Sequence, residues 1–257
     1  MGNLVWAELK KNRRNLWLAV LPLAMALAVA DSRYVATARD GVTYDWPLVV
    51  SNTIFLAATY LLPACLTLQL TQSMQAERDN RTLPCLLVLP MSFRRLLAGK
   101  LLAEGIWLAA ASVLEWLIAL AVFPCTGIPG LSPAGAATAL AAMLSANLWT
   151  YLALLPLLAL AAQWPGSGTA ALVAFFWGAL GGLLSNRSLF LHLNPLSAGT
   201  ALWRWEAGRG LFFDSSRLGL SLSGLAVAVA LGVLAVAAAR DRASVRHRGK
   251  RRRHGRP

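Results

Sequence analysis

The chain has 257 residues, 57% hydrophobic and 14% charged, with a mean hydropathy of +0.56. One soluble core cannot hide that much apolar surface, which excludes an ordinary globular domain and indicates an integral membrane protein. The formal net charge of +13 would suggest nucleic acid in a soluble chain. Here the charges fall in blocks beside apolar runs, the pattern that sets membrane orientation.

A bilayer core needs about 20 apolar residues in a helix, with roughly 17 to 25 tolerated. Six spans are predicted, from Leu16 to Ala30, Pro47 to Leu70, Leu101 to Phe123, Ala134 to Ala162, Thr169 to Leu184, and Leu218 to Ala239. The first and fifth are short. The first is expected to borrow length from Lys11 to Asn15 by snorkelling, and the fifth to continue into the loop that follows it. Five further spans follow the first, so it reads as a retained helix and not as a cleaved signal peptide.

Pro22, Pro63 and Pro156 are expected to bend their spans, since each lacks an amide donor. Gly178 and Gly182, with Ala174 one turn earlier, would let two helices approach closely. Trp6, Trp17, Trp46, Trp164, Trp203 and Trp205 fall near predicted span ends and read as interfacial anchors.

Orientation follows from the basic residues. Lys10, Lys11, Arg13 and Arg14 precede the first span, and Arg78, Arg81, Arg94, Arg95 and Lys100 lie between the second and third. The tail adds Arg240, Arg242, Arg246, Arg248, Lys250, Arg251, Arg252, Arg253 and Arg256. Those eighteen of the 24 basic residues share one side, which predicts both termini on the cytoplasmic side of a cell membrane with an even number of spans, a parity that six spans satisfy. Residues 1–239 then form the spanning domain. Residues 240–257 form a basic tail, disordered and held near anionic lipid.

The richest local signal is ERDNRTLPCLLVLPMSFRRLLAGK, from Glu77 to Lys100. It opens on the charged turn Glu77, Arg78, Asp79, Asn80, Arg81 and Thr82. The apolar run Leu86, Leu87, Leu89 and Pro90 follows, and then Ser92 and Arg94 lead to Gly99-Lys100. That order resembles the loop between the second and third spans of ATP-binding-cassette (ABC) type 2 permeases. It departs from the family pattern at Asn80-Arg81-Thr82, where a Gly-Thr pair is usual, and at Pro84, which interrupts the run early. Glu8-Leu9-Lys10-Lys11 with Arg13-Arg14 is similar to the family's N-terminal interfacial elbow helix. Within the family, the permeases that protect producers of lantibiotics and other bacteriocins are the nearest in character.

The resemblance implies an all-α membrane protein of six transmembrane helices with an elbow helix and a cytoplasmic coupling loop. It also implies cytoplasmic ABC ATPase subunits as partners, with ATP and magnesium bound on those chains, and a second permease copy or related permease to complete a homo- or heterodimer. In that reading the charged turn docks the ATPase, the leucines anchor the loop, and the prolines bound its helical piece. An ordinary solvated loop carrying positive-inside charge is the competing reading.

Glu115 falls near the middle of the third span, where an ionised carboxylate is expensive, and Glu104 lies three turns earlier on nearly the same face. Lys100, one turn before Glu104, is a ready partner for it. Glu115 reads either as a polar contact in a pathway or dimer seam, or as a protonated or hydrogen-bonded packing residue. The segment from Ser185 to Arg217 is long and apolar for an external connection, and suggests interfacial or re-entrant helices. Trp203, Trp205, Phe212 and Phe213 are its candidate outer-gate residues.

Cys65, Cys85 and Cys125 are too scattered for a disulfide or metal framework, and His247 and His254 stand among arginines, so no metal site is predicted. No GxxxxGK[ST], HExxH or GxSxG motif occurs. The chain therefore reads as a transport subunit and not as an enzyme, with no cofactor of its own. Its other partners are membrane lipids, not nucleic acid, and its cargo would be amphipathic: an antimicrobial peptide, a drug or a lipid-linked molecule. A stand-alone ion- or proton-coupled carrier, a membrane-embedded enzyme and an anchor subunit are the alternatives.

Overall fold

The protein is described from a computed structural model, which covers residues 2–12, 16–80, 92–164, 168–185, 187–206, 210–211 and 215–240. Helix α1 (Gly2–Asn12) comes first, and a short 3₁₀ turn (Leu16–Ala19) leads into α2 (Val20–Val35). Next, α3 (Trp46–Leu56), a π-helical turn (Ala57–Leu61) and α4 (Leu62–Asp79) form one rod of 34 residues. Helix α5 (Phe93–Cys125) and α6 (Pro133–Ala161) follow, then α7 (Gly168–Leu184), two short helices α8 (Ser188–Leu193) and α9 (Pro195–Ala201), and finally α10 (Leu218–Ala237). Among the helices, Trp205–Glu206 (β1) and Gly210–Leu211 (β2) form a two-residue antiparallel pair.

Among the described residues, four helices are long and apolar enough to cross a membrane: Trp46–Asp79, Phe93–Cys125, Pro133–Ala161 and Leu218–Ala237. Two of the six predicted spans are shorter. Helix α7 has 17 residues, roughly 26 Å at 1.5 Å per residue. Helix α2 has 16 residues and follows directly on the 3₁₀ turn, and residues 13–15, from which the first span was expected to borrow, lie outside the described residues.

Capping explains several helix starts. Asp45, Ser132 and Ser92 each accept a backbone amide at the head of α3, α6 and α5. The Ser92 cap begins α5 at Phe93, eight residues before the predicted third span. In the α2–α3 connection, Asp40 accepts from the Val42 amide and the Tyr44 hydroxyl, which together hold its carboxyl below the usual carboxylate range.

The buried residues form two stacked clusters. One gathers Leu21, Leu66, Met74, Leu97 and Leu154 near the α4–α5 connection. The other gathers Trp46, Ile54, Phe123 and Met143 toward the opposite end. Trp46 is therefore a core residue, not an interfacial anchor. Its amide donates to Pro129 O and its indole to Gly135 O, which places it beneath the α5–α6 turn. Trp6 and Trp164 are exposed, as anchors would be.

Pro63 and Gly178 act together. Without an N–H, Pro63 cannot bond the Thr59 carbonyl one turn earlier, and the backbone widens into the π turn there. Helix α7 packs against that opened turn. A Cβ on Gly178 would collide with the Thr59 oxygen, and one on Gly182 would come within 2.7 Å of the Thr59 methyl. Pro156 marks a similar place on α6, where Gly232 of α10 approaches so closely that a Cβ would lie 2.6 Å from Leu155 Cβ. Pro22, by contrast, lies in the first turn of α2, where a missing amide costs little.

A Gly178→Leu substitution should destabilise the fold by about 1–3 kcal/mol through overpacking against backbone. Gly219→Ala, at a position with nothing within 4 Å, should be neutral or slightly stabilising. Thermal unfolding of the two variants in detergent checks this contrast.

Candidate functional site

The α4–α5 connection, residues 81–91, carries Arg81, Thr82, Leu86, Leu87, Leu89 and Pro90, all of which lie outside the described residues. Both of its ends are described, and they are tied together by buried charge. Lys100 of α5 donates from Nζ to Glu8 Oε2 of α1 at 2.9 Å and to Ser73 Oγ of α4 at 2.9 Å, and pairs with Glu77 Oε1 of α4 at 2.9 Å. An ammonium has three protons, and all three are used. Lys11 of α1 also donates to Glu77 Oε1. Glu8, Glu77, Lys11 and Lys100 thus contribute two charges of each sign and join three helices.

This arrangement corrects one sequence expectation. Lys100 does not pair with Glu104, both of whose carboxylate oxygens are buried without a hydrogen-bond partner. Side chains on an α-helix lean toward its N-terminus, so Lys100 reaches back toward α1 and α4, away from the residue one turn ahead. Glu77, expected to face an ATPase, is 1% exposed and faces inward. Arg78 is half-buried, and among the described residues of the predicted docking turn Asp79 and Asn80 are the exposed ones.

Arg78 extends the brace to a fourth helix. Its Nη2 donates to Ala162 O at 2.7 Å and Nη1 to Trp164 O at 3.2 Å, satisfying carbonyls left open at the end of α6. Next to them, Gln163 Oε1 accepts from the Arg240 amide just beyond α10 at 3.3 Å. Helix α1, the end of α4, the start of α5 and the ends of α6 and α10 therefore meet at one end of the bundle. Lys100 itself marked the charged turn in the sequence, but Glu8 and Ser73 gave no sign of being its partners.

Deeper in the bundle, Glu115 is fully buried and accepts from Asn147 Nδ2 of α6 at 2.8 Å. The same amide nitrogen donates to Ser112 Oγ at 3.0 Å, and Ser112 donates to Leu108 O. One turn along α6, the Tyr151 hydroxyl donates to Leu101 O at 2.6 Å, with its ring against Gly105. Asn147 was the missed partner of Glu115. A carboxamide on an otherwise apolar span was the available signal.

The predicted outer gate is only partly described. Trp203 is half-buried and donates to Ser145 Oγ of α6 at 2.8 Å. Trp205 lies in β1 with its side chain outside the described residues, and Phe212 and Phe213 lie outside them altogether. Helix α9 is packed into the bundle, with Gly199 against the Trp149 ring and the Trp149 indole donating to Pro195 O. Among the described residues, no cluster of His, Cys, Asp and Glu could hold a metal ion.

The sequence profile of a family described as ABC-2 family transporter protein matches residues 4–181, from α1 through most of α7. A stretch of that length, more than half of the chain, shows that the protein belongs to this family of ABC permeases. Members are multi-pass membrane subunits of transporters, not themselves catalytic. A comparison with curated proteins finds no match.

Replacing Lys100 with Met would leave the Glu8 and Glu77 carboxylates without the buried cation they share. The expected loss is about 3–5 kcal/mol, seen as a lower unfolding midpoint, with part of it restored when Glu77→Gln is added. Unfolding of the single variant at the parental temperature would contradict the network.

Proposed function

We propose that the chain is one half of an ATP-driven exporter, crossing the membrane six times with both termini in the cytoplasm. Helix α1 serves as the interfacial elbow, and residues 77–91 form the surface that receives an ABC ATPase. ATP and magnesium reside on that partner. A second copy or a related permease completes the transport path. The proposed cargo is amphipathic, and the resemblance to bacteriocin-immunity permeases favours a cationic antimicrobial peptide.

The observation that supports this reading most is the bracing of both ends of the 81–91 connection. Glu77 at its start and Lys100 beyond its end are locked to each other and to α1. A push on such a connection cannot be absorbed by its two helices swinging apart. It is passed into α4 and α5, which carry it through the bilayer as rigid rods. Exposed Asp79 and Asn80 then offer the docking contact, with Glu77 as its internal anchor.

The test is co-purification in mild detergent with an ATPase encoded nearby. Asp79→Lys should lower ATPase recovery and export severalfold while leaving the unfolding midpoint unchanged, because Asp79 is exposed. Full ATPase recovery and full export by the Asp79→Lys variant with Asn80 also replaced would remove this surface from the proposal. An ATPase that never co-purifies would favour a stand-alone carrier.

A further inference from the structure

Glu115, Asn147 and Ser112 form a cluster whose hydrogen-bond inventory is short by one donor. The Asn147 amide has two N–H groups, and both are spent, on Glu115 Oε2 and on Ser112 Oγ. The Ser112 hydroxyl proton is spent on Leu108 O. Thr150, one turn away on α6, spends its own on Ala146 O. Two acceptors remain, Glu115 Oε1 and Asn147 Oδ1, each buried and without a partner. They belong to the two groups already joined by the Nδ2–Oε2 hydrogen bond. A single proton on Oε1 shared with Oδ1 would satisfy both atoms and close a cyclic acid–amide pair with two antiparallel hydrogen bonds.

From this geometry we infer that Glu115 and Asn147 form a proton-binding site in which Glu115 is held as the neutral acid, clasping α5 to α6. Among the described residues, none supplies a competing cation. The helices packed against α5 are α1, α2, α4, α6 and α10. Their ionisable groups are Glu8, Lys10 and Lys11 on α1, Asp31, Arg33 and Tyr34 on α2, Cys65, Glu77, Arg78 and Asp79 on α4, and Tyr151 on α6. Helix α10 contributes none. Asp45, which caps α3 near the far end of α5, is engaged with the Leu48 amide. None of these groups bonds to Glu115. An ionised carboxylate here would be an unpaired charge in an apolar seam, flanked by Ala111 and Ala119 on its own helix and by Ala146 across it. As the neutral acid it costs little and acts as a fastener between two spans.

The experiment compares infrared spectra of the full-length protein and its Glu115→Gln variant in lipid nanodiscs at neutral pH, with Glu104→Gln as a control for the other buried carboxyl. Gln keeps the shape of the acid and can donate to Asn147 Oδ1. The variant should therefore fold with an unchanged unfolding midpoint, and its spectrum should lack a protonated-carboxyl band that the parent and the Glu104→Gln variant both show. The parent should also lose thermal stability at alkaline pH, and the Glu115→Gln variant should lose less. An ionised-carboxylate band as the feature lost on Glu115→Gln would overturn the inference. So would failure of that variant to fold, since a required negative charge is incompatible with a neutral clasp.

Discussion

At the end of the bundle where α1, α4 and α5 meet, the packing depends on one buried ammonium. Lys100 is almost inaccessible, and a lone charge there would be prohibitively costly to bury. Its three protons must find acceptors, and they find them on two other helices. Neutralisation and assembly are thus the same event: α1 and α4 cannot leave α5 without exposing or orphaning charge. A well-packed apolar contact of similar size could hold these helices as firmly. What the ionic version adds is direction, because each acceptor fixes an angle as well as a distance.

The rest of the bundle repeats that logic with weaker groups. Arg78 closes the end of α6, Gln163 receives α10, and the Glu115–Asn147 contact joins α5 to α6 where the two apolar clusters meet. Between these polar fasteners the helices pass one another on small residues. Gly178 meets the turn opened by Pro63, and Gly232 meets the backbone beside Pro156. Polar contacts set register, and glycines set distance. Helices that shift as units without losing alignment need both.

Much of the fold could be read in the sequence because membrane helices are written locally. The apolar runs located α5, α6, α7 and α10 to within a few residues, apart from the early start of α5. Gly178 and Gly182 were legible as a close approach because their spacing matches a helical turn. The site was less legible because its contacts are not local. Glu8 and Lys100 are separated by 92 positions, and nothing at Glu8 announces that partner. Glu77 read as a docking charge because an acidic residue in a charged turn normally faces water. The long helix that delivers it to Lys100 turns it inward instead. Trp46 was misassigned for a similar reason: a Trp near a span end is usually interfacial, and only the overlying α5–α6 turn makes this one core.

The central claim is that α1, the end of α4 and the start of α5 move as one body when the ATPase acts. Spin labels at two exposed positions, Ala7→Cys on α1 and Arg94→Cys on α5, test it most directly, in a background with the native cysteines replaced and the ATPase bound. Pulsed dipolar spectroscopy should give the same distance before and after ATP is added, and a broadened distribution in the Lys100→Met background. A change in that distance on ATP binding in the otherwise parental protein would show that α1 and α5 do not move as one body, and would contradict the account.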